Sequence, residues 1–169
     1  MSELLARHPL LAPLVGLLAG PAAIALALVA QHGFGLEPCV LCIWQRWALG
    51  IAALLALPAV IWRGPARRLS LAASGLGYLA SAAIAGFHSG VENGWWQGTA
   101  GCHAPSFQGA TSAEQLRESL MATAVVACDE VSWSLLGLSM ADYNLLYSAA
   151  LGLFLLVAAR LLTRRKARP

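Results

Sequence analysis

Charge is what this sequence has least of. Only 11% of its 169 residues are Asp, Glu, Lys or Arg, against roughly 25% in a soluble domain. A chain so poor in charge cannot cover a water-facing surface, which excludes an ordinary soluble domain. It also has no second Cys-x-x-Cys to complete a four-thiolate zinc site, no Cys-x-x-Cys-His for haem attachment and no glycine fingerprint for a dinucleotide. No internal repeat is visible. These absences count against a four-thiolate zinc site, attached haem and a dinucleotide carrier.

What is present is apolar sequence in long runs, with hydrophobic residues at 59% of the chain. Four windows are long enough to cross a bilayer core of about 30 Å, which takes about 20 residues of helix. Residues 10–30 carry no charge, 43–62 only Arg46, 69–87 none, and 143–162 only Arg160. Pro13, Pro21 and Pro58 fall in these windows, and membrane helices tolerate proline where neighbours satisfy the freed carbonyls. The first window follows Arg7 and contains small residues such as Ala25 and Ala27, as a signal peptide would. Its apolar run of about 21 residues is longer than the usual 7 to 15, so a span is the expectation. The fold class is therefore all-α: a four-transmembrane-helix bundle forming a single membrane domain over residues 1–169. The third window places Ala73, Gly77, Ser81 and Ala85 on one stripe, which predicts close helix approach and a central position.

Positive charge is distributed unevenly. Arg7, Arg63, Arg67, Arg68, Arg160, Arg164, Arg165, Lys166 and Arg168 lie on one side of the predicted spans, while Arg46 and Arg117 lie on the other. The positive-inside rule makes the first side the cytoplasm, with both termini there. The basic tail thus reads as an anchor at the membrane surface, with no nucleic-acid partner implied. All four cysteines, Cys39, Cys42, Cys102 and Cys128, then fall on the outer side, where disulfides persist. A bacterial inner membrane, with these residues toward the periplasm, fits that pattern.

Two outer loops are expected, at about residues 31–42 and 88–142. Pro38 favours starting a helix at or just after Cys39. The longer loop opens with a stretch rich in Gly and Trp, where Trp95 and Trp96 read as interfacial anchors. Thr111 with Glu114, or Ser112 with Gln115, forms a capping box ahead of Leu116, Leu120 and Met121, predicting a short amphipathic helix on the membrane surface. Asp129 and Glu130 exclude a fifth span, because each would cost about 2.5 to 3.5 kcal/mol at a helix centre.

The chemistry gathers around "EPCVLCIWQRW", Glu37 to Trp47. In a helix starting near Cys39, Cys42 lies one turn on and Arg46 four residues further, on nearly the same face. A guanidinium and a helix N-terminus both favour a thiolate, here at Cys42. The plainer alternatives are a structural disulfide, half of a metal site, or an arginine that snorkels to the interface. Cys102 and Cys128 flank the amphipathic segment. A bridge between them would close a loop of about 27 residues and stabilise it by about 3.5 kcal/mol on the chain-entropy account. Two outer-side pairs in one chain also suit a relay, in which oxidation passes between pairs through a mixed disulfide. Four cysteines allow three pairings, and spacing alone leaves them open. His88, at the outer end of the third window, could shuttle a proton or simply bond a neighbour. His103 could tune Cys102. Trp133, Tyr143 and Tyr147 read as belt and packing residues, and Glu37 and Glu92 as solvated.

A thiol relay must pass two electrons onward, and the absence of recognisable carrier motifs points to a lipid-soluble acceptor. A quinone fits, with Arg46 and His88 placed to hydrogen-bond its carbonyl oxygens.

The segment "PCVLCIWQR", the loop cysteines Cys102 and Cys128, and "WSLLGLSM" at residues 133–140 together resemble the disulfide bond formation protein B family of bacterial inner membranes, over nearly the whole chain. The resemblance implies a four-helix bundle that reoxidises a periplasmic thioredoxin-like thiol oxidase and passes electrons to ubiquinone or menaquinone. It implies that Cys102 and Cys128 exchange with the partner, that Cys39 and Cys42 receive the electrons, that Cys42 faces the quinone, and that Arg46 and His88 bind it. The alternatives are a reductase of the vitamin K epoxide type and a non-catalytic metal-binding membrane protein.

Overall fold

The computed structural model describes residues 2–102, 112–114, 117 and 126–166. A short helix α1 (Ser2–Arg7) leads into α2 (Leu11–Phe34), α3 (Val40–Ile61), α4 (Pro65–Glu92) and, after a small hairpin, α5 (Met140–Lys166). Four of these helices, α2 to α5, are long and apolar enough to cross a membrane. Leu18, Leu26, Leu54, Leu76 and Leu153 point outward from the bundle, as side chains meeting hydrocarbon would. The expected amphipathic helix between Cys102 and Cys128 lies almost wholly outside the described residues.

Each helix end has a local cause. Helix α2 stops where Gly35 takes a left-handed φ of 69° and returns its N–H to Ala30 O. The last turn of α3 leaves carbonyls without helical partners, and Arg67 supplies donors: its Nε donates to Ala59 O at 2.9 Å and Trp62 O at 3.1 Å. The same guanidinium reaches Pro9 O at 3.2 Å, tying the α1–α2 connection to this end of the bundle. Helix α5 opens on a reciprocal cap. Ser139 Oγ accepts from Asp142 N–H at 3.2 Å while Asp142 Oδ2 accepts from Ser139 N–H at 2.9 Å.

The helices extend past the uncharged windows of the sequence because their first and last turns admit charge. Arg67 and Arg68 sit in the first turn of α4 and Glu92 closes its last. Helix α4 is central, packing extensively on both α3 and α5, with α2 set mainly against α3. Small residues permit this. A methyl group at Gly77 would come within 2.9 Å of Ala52 Cβ, and one at Gly75 within 3.0 Å of the Gly152 carbonyl. Tyr78 is fully buried and enters the backbone ladder of α2, donating to Gly16 O at 2.7 Å and accepting from Gly20 N–H at 2.9 Å. Its hydroxyl thus stands inside what would be one helical hydrogen bond, a residue before Pro21.

Residues 126–139 contain no span. They hold the hairpin β1 (Ser134–Leu135) and β2 (Leu138–Ser139), paired Ser134 to Ser139 and Leu135 to Leu138. Its two turn residues, Leu136 and Gly137, both have positive φ, 53° and 79°, the signature of a type I′ turn.

Candidate functional site

Pro38 leads the chain in extended form to Cys39, whose φ and ψ of −75° and 174° make it the N-cap of α3. Its sulfur takes the role a serine oxygen takes elsewhere, accepting from Cys42 N–H at 3.4 Å. The Cys42 sulfur lies 3.3 Å away, and both thiols are free. His88 comes across from α4 with Nε2 3.4 Å from Cys39 Sγ. The hydrogen bond from the Cys42 thiol is the largest influence on Cys39. Burial opposes it, and His88 with the helix-start N–H adds to it, so the Cys39 thiol is lowered from 9.0 to about 4. The sequence placed thiolate character on Cys42, through Arg46. The structure gathers the donors on Cys39 instead, because Cys39 occupies the cap position.

Cys102 and Cys128 are joined by a disulfide, with Cα atoms 4.9 Å apart. Cys102 ends a 3-10 turn, Ala100–Cys102, and its carbonyl accepts from Cys128 N–H at 3.3 Å. Both are fully buried in a small cluster with Cys39, Leu41 and Val91. The two cysteine pairs therefore share one core, separate from the main bundle core around Leu49, Tyr78 and Leu155.

On its other side the dithiol borders a cavity of about 380 Å³. Ala23, Leu26, Ala27 and Ala30 of α2 form one wall, and Trp133, Met140, Tyr143 and Tyr147 another. Cys39, Cys42, Arg46 and His88 all face it, so four of the six residues singled out from sequence meet at one space. Arg46 is held by α2, donating to Gln31 Oε1 at 2.7 Å and Ala27 O at 3.5 Å. Tyr147 donates to Ala19 O at 2.8 Å and Tyr143 to Leu135 O at 3.0 Å, so both fix the cavity wall as well as pack it. The sulfurs of Cys39 and Cys42 and a ring nitrogen of His88 lie within 4.8 Å of one another, close enough to share a thiophilic ion. His103 lies outside the described residues.

Three further residues belong here that the sequence reading missed. Gln45 Nε2 is 2.9 Å from His88 Nδ1, and Asn144 donates to Gln45 Oε1 at 2.6 Å. Glu92, read from sequence as solvated, turns inward: its side chain is 8% exposed, with Oε1 3.7 Å from His88 Nε2 and Oε2 accepting from Ser139 Oγ. Helix α4 runs on to Glu92, which places it one turn beyond His88 on the same face. The spacing His-x-x-x-Glu was the available signal.

A helical membrane bundle that holds a dithiol against an apolar cavity and a disulfide in the same small core is built as a thiol–disulfide oxidoreductase of the membrane. The chain belongs to the disulfide bond formation protein B family, oxidoreductases of disulfide formation: the family model described as Disulfide bond formation protein DsbB matches residues 9–158. Disulfide bond formation protein B 2 of Pseudomonas entomophila (strain L48) is 34% identical over 166 residues, covering 91% of this chain and 94% of that protein. Disulfide bond formation protein B of Azoarcus sp. (strain BH72) is 32% identical over 151 residues, or 82% and 87% of the two chains. The protein of the same name from Polaromonas sp. (strain JS666 / ATCC BAA-500) is 31% identical over 154 residues, or 88% and 89%. No solved structure matches the chain significantly.

Proposed function

We propose that this chain reoxidises a soluble thioredoxin-like thiol oxidase of the periplasm and delivers the electrons to a membrane quinone, ubiquinone or menaquinone. The observation that carries the reading is the cavity of about 380 Å³ bordering Cys39, Cys42, Arg46 and His88. Its size lies within the range of small-molecule sites, about 300 to 1,000 Å³. Its walls are largely apolar, and Cys39, Cys42, Arg46 and His88 border the one space, which suits a ring carrying carbonyl oxygens. Arg46 would hold such a ring by its N–H donors, with His88 bordering the same space beside the dithiol. A bound quinone would supply the two-electron acceptor that returns Cys39 and Cys42 to a disulfide.

The chain's own part is a sequence of exchanges. A partner thiolate attacks the Cys102–Cys128 bridge and forms a mixed disulfide; a second partner thiolate releases the oxidised partner and leaves Cys102 and Cys128 as thiols. One of these attacks the Cys39–Cys42 bridge, restoring Cys102–Cys128 and leaving the electrons on Cys39 and Cys42. The distribution of arginine supports placing both termini in the cytoplasm and the cysteine end in the periplasm.

Purified chain with added quinone is expected to oxidise a reduced thioredoxin-like partner catalytically. Full turnover by Cys39→Ser would sink the scheme. Arg46→Ala removes a charged donor worth about 1.5 to 3 kcal/mol, so the apparent quinone KM should rise about 10- to 100-fold while exchange with the partner persists. An unchanged KM refutes that role for Arg46.

A further inference from the structure

Three helices each place one amide or imidazole in the apolar interior at the dithiol. Gln45 of α3 and His88 of α4 are buried, and Asn144 of α5 lies between them and two fully buried serines, Ser81 and Ser148. Polar groups at such depth persist only where they are paired, and here each pairing constrains the next. Ser148 Oγ donates to Asn144 Oδ1 at 2.9 Å. The Asn144 amide nitrogen faces two acceptors, Gln45 Oε1 at 2.6 Å and Ser81 Oγ at 3.5 Å. Gln45 must therefore turn its own nitrogen to His88, where Nε2 stands 2.9 Å from Nδ1.

A ring nitrogen that receives an N–H carries a lone pair. In a neutral imidazole the proton is then on the other nitrogen, Nε2. That nitrogen faces Cys39 Sγ at 3.4 Å and Glu92 Oε1 at 3.7 Å, both acceptors when charged. The two ends of the ring thus agree independently. In a neutral ring, reversing both amides would set a bare Nε2 against a thiolate and a carboxylate, lone pairs facing charge.

We infer that Asn144, acting through Gln45, is a positioning residue that holds His88 with its proton on Nε2, aimed at the Cys39 sulfur. In this role His88 is a hydrogen-bond donor to the reduced dithiol and not a base that removes its proton. The assignment rests on the proposed exchange between cysteine pairs, because only there does charge accumulate on Cys39. Asn144 and Gln45 are linked across 99 positions and three helices, so the bundle itself transmits the constraint to the thiol.

The test reads the ring directly. In ¹⁵N-labelled full-length chain, reduced and free of quinone, the His88 nitrogen shifts at neutral pH distinguish a protonated from a bare nitrogen, with the signals assigned by comparison with His88→Gln. The expected result is a protonated Nε2 and a bare Nδ1. In Asn144→Asp the introduced carboxylate cannot donate, so Gln45 should turn its nitrogen toward it, present Oε1 to His88 and move the ring proton to Nδ1. Asn144→Leu, which keeps the site apolar, should give a mixture of both tautomers. A proton found on Nδ1 in the parent, or one that stays on Nε2 in both variants, overturns the inference, and the parent measurement decides it even if neither variant folds. Because the readout needs neither quinone nor partner, a parent with the expected tautomer but no quinone-dependent turnover would count against the proposed function alone.

Discussion

Cys39 holds its proton weakly because three kinds of donor meet at one sulfur: the Cys42 thiol, the His88 ring and the N–H of a helix start. That makes stability depend on pH in the reduced protein. With a folded value near 4 against an ordinary 9.0, the native state binds fewer protons than the unfolded chain at every pH between them. The contribution is present at neutral pH, shrinks as pH falls, and is gone below about 4. The melting temperature of reduced parent, relative to Cys39→Ser, should therefore climb between pH 5 and pH 8; parallel profiles would refute the depressed thiol. Cys39, Cys42 and Arg46 were legible from sequence because their relation is local, one and two turns of a helix. Gln45 and Asn144 were not, since an amide inside an apolar window acquires meaning only from its partner, and that partner is on another helix. Glu92 lay between these cases. Its distance from His88 is local, but a loop rich in glycine and tryptophan hid the last turn of α4.

At the level of elements, the bundle closes on small residues and on one inserted hydroxyl. The stripe Ala73, Gly77, Ser81 and Ala85 announced a central α4, and α4 does pack on both α3 and α5. What no pattern announced was Tyr78, whose hydroxyl completes the broken rung of α2 between Gly16 and Gly20. Tyr78→Phe leaves that carbonyl and N–H without the hydroxyl in a dry interior, at a cost of about 1 to 3 kcal/mol. Denaturant titration in detergent should show a clear loss of stability. An unfolding midpoint equal to the parent's would mean that the α2 ladder closes without the hydroxyl. The hairpin at residues 134–139 was likewise illegible, because Ser-Leu-Leu-Gly-Leu-Ser has an apolar run and only Gly137 to signal a turn. Its energetic role is visible in three dimensions: it delivers Ser139 as both the cap of α5 and the partner of Glu92.

For the whole molecule, the main bundle core is a support and the cysteine end a second, smaller core mounted on it. The basic residues of the α3–α4 turn lie at the opposite end of the spans from the cysteines, which makes sidedness measurable. In a background with all four native cysteines replaced by serine, an impermeant maleimide should label Gln97→Cys in intact cells stripped of outer membrane. It should label Ala66→Cys only after permeabilisation. The reverse pattern would invert the proposed topology.

The smaller core has a kinetic meaning. Cys39 and the Cys102–Cys128 bridge are buried in one hydrophobic cluster, so the proposed exchange between the pairs would be unimolecular and dilution could not slow it. Well-oriented groups held in this way react at effective molarities that reach about 10⁵ M or more. Crowding or scarcity of the chain would then alter only its meetings with partner and acceptor. The transfer between its own thiols would run at a rate set by geometry.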